Sequence, residues 1–175
     1  MNVQEIDQIL KVLATPFRQF YQFAFYSGLR TGELIAIRWR DVDLKRNCLN
    51  IRVNKTGGIE KEPKTKGSIR DIELHNVAKS ALLEILNSQY YHEHRVFIDP
   101  STMLEYKYAD RLRKYVWKPA LEKAAIRYRS PYHTRHTYAS MMLSSGKNPM
   151  WVAKQMGHAD WGMLRKVYGR WIDND

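Results

Sequence analysis

The hydrophobic period of this chain changes twice, and that double switch limits what the chain can fold into. Near the amino end Val3, Ile6, Ile9, Leu10 and Leu13 recur at helical spacing, which sets them on one face of a 3.6-residue turn. At Leu49, Ile51 and Val53 the apolar residues instead alternate with Asn50 and Arg52, and Arg70, Ile72 and Leu74 line one face of a further stretch. Period two marks a half-buried strand. Helical spacing resumes over residues 77–86 and dominates the remainder. The pattern predicts a mainly α domain with a small antiparallel β-sheet, an α+β arrangement, and 175 residues suit one compact domain.

Local punctuation places the elements. A helix over 2–13 is followed by one over 16–26, with Pro16 in a favourable first-turn position and Gly28 ending it. Thr31 is expected to cap a helix over 32–39, so Arg30 falls at a helix–helix corner from which its side chain can project into a cleft. Gly57-Gly58 marks a turn before a short strand over 59–62. Lys64-Thr65-Lys66-Gly67 marks another before a strand over 69–74, so the sheet carries a lysine-bearing loop. Asn76 is expected to cap 77–86, and 96–98 is a short apolar piece of either type. Residues 110–126 are helical in pattern, with Pro119 kinking or dividing the run. Three helices close the chain: 136–143, 149–156 behind an Asn148 cap, and 161–171 behind an Asp160 cap.

Charge narrows the function. The chain holds 29 Lys and Arg against 18 Asp and Glu, a net charge of +11, which points to a polyanionic partner, nucleic acid being the commonest. No apolar run approaches the roughly 18–20 residues of a membrane span, and the amino terminus has no signal-peptide pattern. Cys48 is the single cysteine, so no internal disulfide and no cysteine metal cluster is expected, and a reducing, cytoplasmic setting fits. The pairs His133 with His136 and His92 with His94 have no carboxylate or cysteine companion, and metal binding is not expected of them.

Four short stretches, far apart in the chain, each carry a residue suited to gripping or attacking a phosphodiester: Gly28-Leu29-Arg30-Thr31-Gly32-Glu33-Leu34, Thr134-Arg135-His136-Thr137-Tyr138, Met156-Gly157-His158 and Val167-Tyr168-Gly169-Arg170-Trp171. A phosphodiester under attack gathers negative charge on its non-bridging oxygens. Arg30 and Arg135 suit that charge, because a guanidinium stays protonated and offers a planar fork to two oxygens. They would also favour ionisation of a nearby tyrosine.

Two arginines, a histidine and a tyrosine, in this order and these spellings, resemble the catalytic set of the tyrosine recombinases, or phage-type integrases, and the resemblance covers nearly all of the chain. It implies that Tyr168 attacks the phosphodiester, leaving a 3′-phosphotyrosyl link and a free 5′-hydroxyl. Because that link conserves the bond's energy, no nucleotide and no other cofactor is expected, and the chain has no Gly-x-x-x-x-Gly-Lys-Ser/Thr loop. By the same resemblance His158 donates to a non-bridging oxygen, and Lys64, with Lys66 in reserve, protonates the leaving oxygen. Glu33 braces Arg30, and His136 takes a buried structural role. One position departs from the family. Tyr132 stands where a histidine is usual; it can donate a hydrogen bond but cannot serve as a base as histidine does. It is expected to substitute by hydrogen bonding, with His133 as the alternative.

Family members carry an amino-terminal helical DNA-clamping domain, for which this sequence leaves no room. The expectation is therefore a single catalytic domain over 1–175, bacterial or phage-encoded and nucleoid-associated. By itself it would be a monomer; in full-length form it would be a homo-tetramer on double-stranded DNA. Two other functions use the same features: DNA relaxation of the type IB topoisomerase kind, and a catalytically idle DNA-binding module.

Overall fold

Capping chemistry fixes the first two helices in the computed structural model, which describes residues 1–62, 66–158 and 162. Helix α1 (Val3–Val12) starts from a reciprocal cap: Asn2 Oδ1 accepts from Glu5 N at 2.8 Å and Glu5 Oε2 accepts from Asn2 N at 2.9 Å. Ile6 and Ile9 are wholly buried from it. Helix α2 (Phe17–Ser27) ends at Gly28, whose φ of 66° is the left-handed stop that glycine accepts without strain. Apolar residues surround α2 on nearly every side, so it runs through the core, packed on α4 (Asn76–Leu86) and on α7 (His133–Ser144). Its rings interlock with later segments: Tyr21 lies 4.7 Å from Trp117 and Phe20 lies 5.0 Å from Phe97, centroid to centroid.

The helix expected over 32–39 is a single turn, α3 (Thr31–Leu34), and its N-cap is Arg30 rather than Thr31. The next three residues stop it. Ile35, Ala36 and Ile37 are all buried, and three consecutive residues cannot share the inward stripe of a short surface helix. From the Ile37 carbonyl onward the backbone pairs with a distant segment: Val96 N donates to the Ile37 carbonyl at 3.1 Å and Trp39 N to that of His94 at 3.1 Å.

Strands β1 (Val42–Asp43), β2 (Cys48–Ile51) and β5 (Arg70–Glu73) form an antiparallel sheet in the order β1-β2-β5. Leu49 faces Ile72 and Ile51 faces Arg70 across it. Val53 falls outside β2. A separate hairpin, β3 (Asn54–Thr56) and β4 (Ile59–Lys61), turns at Gly57-Gly58, and β6 (Ile98–Asp99) pairs with β7 (Leu104–Glu105). Among the described residues the single sheet read from the sequence is thus three, because Asn54-Lys55-Thr56 offers no alternation to betray a strand. Charge holds the hairpin down. Buried Lys55 reaches Glu105 Oε2 at 3.0 Å, Arg95 reaches the same oxygen at 2.7 Å, and Glu60 pairs with both Arg38 and Arg95.

Gly32 lets α3 touch β3: a Cβ there would stand 2.5 Å from the Lys55 carbonyl oxygen and 2.4 Å from Asn54 Oδ1. Backbone cannot swing aside as a side-chain tip can. Gly32→Ala is therefore expected to destabilise the chain by about 1–3 kcal/mol, read as a lower urea midpoint at unchanged slope. A wild-type midpoint would show that the hairpin yields.

In α4 the cap is His75, whose Nδ1 accepts from Val77 N at 3.2 Å, one residue before the expected Asn76. The run over 110–126 absorbs Pro119 without breaking. After α5 (Asp110–Leu112) comes one π-helical stretch, Arg113–Trp117, and then α6 (Lys118–Lys123). The wider turn accommodates a residue that has no N–H and whose ring would strike the preceding turn. Helix α7 begins three residues earlier than its apolar pattern implied. Helix α8 (Pro149–Met156) matches expectation, with Asn148 Oδ1 accepting from Met150 N at 2.8 Å and Gly157 ending it at a φ of 71°. The helix expected over 161–171, with its Asp160 cap, lies outside the described residues apart from Gly162. Among the described residues no helix is long and apolar enough to cross a membrane.

Candidate active site

The turns at Gly28 and Gly157, each in the left-handed conformation, bring α2, α3, α7 and α8 to one point. A Cβ on Gly28 would lie 2.4 Å from Tyr138 Cδ1, so glycine there lets α7 close against the end of α2. That approach carries Arg135 into the interior, where only 1% of it is exposed. Its Nη1 donates to the Gly28 carbonyl at 2.6 Å and its Nη2 to the Met156 carbonyl at 2.6 Å. Nη2 also lies 3.1 Å from His158 Nε2. Because a guanidinium only donates, Nε2 accepts, which places the imidazole proton on Nδ1. Arg135 Nε is buried with no hydrogen-bond partner among the described residues. Burial, followed by the charge of Arg30, pulls the Arg135 guanidinium down to about 10, still protonated at neutral pH.

Arg30 occupies an extended residue between α2 and α3, with its side chain one-third exposed. Its Nη1 donates to Glu33 Oε1 at 2.8 Å, and its Nη2 lies 3.4 Å from the Gly157 carbonyl. The two arginines therefore rest on neighbouring carbonyls of one strip, Met156 and Gly157, and His158 comes directly after. Glu33 is 2% exposed. Burial works to raise its carboxyl, but the hydrogen bonds and charge of Arg70, the Arg30 N–H and the Arg30 charge outweigh it and hold the group below the ordinary carboxylate value.

Arg70 escaped the sequence reading as a site residue. It lies in β5, donates from Nη1 and Nη2 to the two Glu33 oxygens at 3.0 and 3.1 Å, and donates from Nε to the Gln155 carbonyl at 2.7 Å. A signal was present: Arg70 is in phase with Ile72 and Leu74, so the alternation itself puts a cation on the buried face. Three guanidiniums, Arg30, Arg70 and Arg135, thus gather around one carboxylate. The surplus positive charge at this point is suited to an anion with several acceptor oxygens.

The remaining expected residues divide. Tyr132 is the residue before α7 and is 45% exposed; its ring meets His136 edge-on at 5.1 Å, and it lies near enough to Arg135 to bear on that group's charge. His136 is half-buried rather than buried. It lies beside Tyr132 and His133 while Thr137 and Tyr138 take the inward positions, and burial, then His133 and Arg135, lower its pKa. His133 has its Nδ1 3.3 Å from Ser130 Oγ. Lys66 opens a 3-10 turn, Lys66–Ser68. Lys64 and Tyr168 lie outside the described residues. Among the described residues no group of three His, Cys, Asp or Glu is placed to hold a metal ion.

The phage integrase family matches residues 1–173 of the chain. A prophage integrase of Escherichia coli strain K12, IntR, is 36% identical over 99% of this chain and 48% of its own length. The chain thus spans about half the length of that relative. Among solved structures, the Tn1549 transposon integrase in complex with a circular intermediate DNA superposes with a TM-score of 0.82 at 16% identity, covering 96% of this chain and 60% of that one. XerA recombinase superposes with a TM-score of 0.73 at 19% identity, covering 97% and 62%. At such identities the likeness is one of fold, a mainly helical catalytic domain with small antiparallel sheets.

Proposed function

Because the chain belongs to the phage integrase family, we propose that residues 1–175 are the catalytic domain of a tyrosine-type site-specific recombinase that cuts and rejoins double-stranded DNA. The observation that supports this best is the convergence of Arg30, Arg135 and His158 on the 156–158 strip, with more positive charge than Glu33 balances. A scissile phosphate entering there takes the guanidinium forks of Arg30 and Arg135 on its non-bridging oxygens. It competes for the Arg135 donor that now holds His158 Nε2, and the released imidazole, its proton exchanged through solvent from Nδ1 to Nε2, donates to a non-bridging oxygen. Tyr168 supplies the nucleophile. Its phenolic oxygen bonds to phosphorus as the bond to the 5′-oxygen breaks, its proton passes to solvent, and Lys64 protonates the leaving oxygen. The reverse sequence, with a 5′-hydroxyl from another strand, rejoins the DNA. Tyr132 hydrogen-bonds at the rim of this site, and full-length protomers assemble as a tetramer on two duplexes.

A duplex nicked close to the scissile phosphate loses the short leaving strand and traps the intermediate. Incubation with such a duplex is expected to give a covalent protein–DNA band that Tyr168→Phe removes. A band that survives the substitution assigns the nucleophile to another residue.

A further inference from the structure

We propose that Arg70 is a positioning residue for strand cleavage: it sets the orientation of Arg30 through Glu33 and fixes the carbonyl strip on which both site arginines rest, without itself meeting the phosphate. This rests on the cleavage reading above. Arg70 is 6% exposed and spends its donors inside the protein. Its fork grips both Glu33 oxygens, Nη1 also donates to the Ser68 carbonyl at 3.0 Å, and Nε donates to the Gln155 carbonyl.

Held at both oxygens, the Glu33 carboxylate cannot rotate freely. That matters because it serves Arg30 twice, accepting the backbone N–H on Oε2 at 2.8 Å and the side-chain Nη1 on Oε1 at 2.8 Å. A carboxylate turned out of this plane loses one of the two, and the Arg30 fork loses its direction. The second grip acts on the opposite wall. Gln155, held by Arg70 Nε, directly precedes Met156, Gly157 and His158, and a Cβ on Gly157 would lie 2.8 Å from Arg70 Nη1. One buried guanidinium thus registers β5 against α3 and against the end of α8. Lysine brings the same charge but no fork, so it cannot hold both oxygens and the Gln155 carbonyl together.

A residue acting through Arg30 leaves a trace that a merely structural one does not. Replacing one non-bridging oxygen of the scissile phosphate by methyl gives a neutral methylphosphonate, which presents far less charge for Arg30 to hold. The wild-type chain, Arg70→Lys and Arg30→Ala are compared for adduct formation on nicked duplexes of both kinds, with thermal melts of each. Arg70→Lys is expected to slow cleavage of the phosphodiester about 10–100-fold while matching wild type on the methylphosphonate, the same pattern as is expected of Arg30→Ala. Glu33→Asp keeps the charge that pairs with Arg70 but draws the carboxylate back from Arg30; it is expected to show the same substrate-dependent loss, and it carries the test if Arg70→Lys fails to fold. Equal losses on both substrates, or none on either, overturn the proposal. If the wild-type chain forms no adduct on either duplex, the cleavage reading fails by itself. Arg70 is then judged by the Arg30 Nε–H resonance, expected to be rigid in wild type and mobile in Arg70→Lys; an unchanged resonance overturns the positioning role.

Discussion

Arg135→Met is expected to lower the rate of DNA strand cleavage by about 10²–10³-fold or more while leaving the folded chain nearly as stable as before. The two halves of this result have separate causes. Removing the guanidinium strips the phosphate of a buried fork where charge develops, and water cannot replace it at a position 1% exposed. Stability is set by opposing terms. The Gly28 and Met156 carbonyls lose charge-assisted bonds of 2.6 Å, each worth about 1.5–3 kcal/mol. Against this, the fold no longer buries a cation at a position 1% exposed, a relief of several kcal/mol of desolvation. Methionine fills the length of the arginine stem. The net change is expected to stay within about 2 kcal/mol, as read by thermal and urea unfolding. Cleavage that persists in a stable Arg135→Met chain would remove the residue from the reaction.

Glu33→Ala is expected to show the reverse balance, with stability falling by about 3–5 kcal/mol and cleavage lost with it. The carboxylate is the shared counter-ion of Arg70 and Arg30, and Arg70 is buried where water cannot solvate it. Deleting the anion leaves an uncompensated cation in the interior. The pH dependence obeys the same logic. The folded carboxyl lies below its ordinary value, so its contribution is fully present above the unfolded value of about 4.5 and is lost as pH falls through the folded one. Wild type is expected to lose that increment in acid and Glu33→Ala to show none of it. Parallel stability–pH curves for the two chains would mean that Glu33 is not the charge that holds this corner.

Those two residues also show where sequence reasoning succeeds and where it stops. Elements governed by adjacent chemistry were legible: the Asn148 cap, the left-handed stop at Gly28, and the alternation that exposes β2 and β5. Each signal is complete within about four residues. Elements governed by partners far along the chain were not. The helix expected over 32–39 gave way because residues 94–96 take its backbone bonds, and β3 is a strand only because β4 pairs with it. Helix α7 hid its first turn because Thr134 and Arg135, polar in any pattern, are buried there. At the site, Arg30, Arg135 and His158 could be found by their spellings, which is a resemblance and not a derivation. Arg70 could have been found physically, as a cation in phase with Ile72 and Leu74, but a strand face is known to be buried only once its cover is known. Here Ile72 and Leu74 pack into the core cluster with α2 and α4, while Arg70 meets Glu33 of α3 and Gln155 of α8.

The most direct measurement is the identity of the residue joined to DNA. The trapped adduct from a nicked duplex is digested with protease and nuclease, and the nucleotide-bearing peptide is sequenced by mass spectrometry. The account predicts a nucleotide joined through its 3′-phosphate to the phenolic oxygen of Tyr168, with a free 5′-hydroxyl on the released strand. A nucleotide on any other side chain, or a 5′-phosphate linkage, would contradict it.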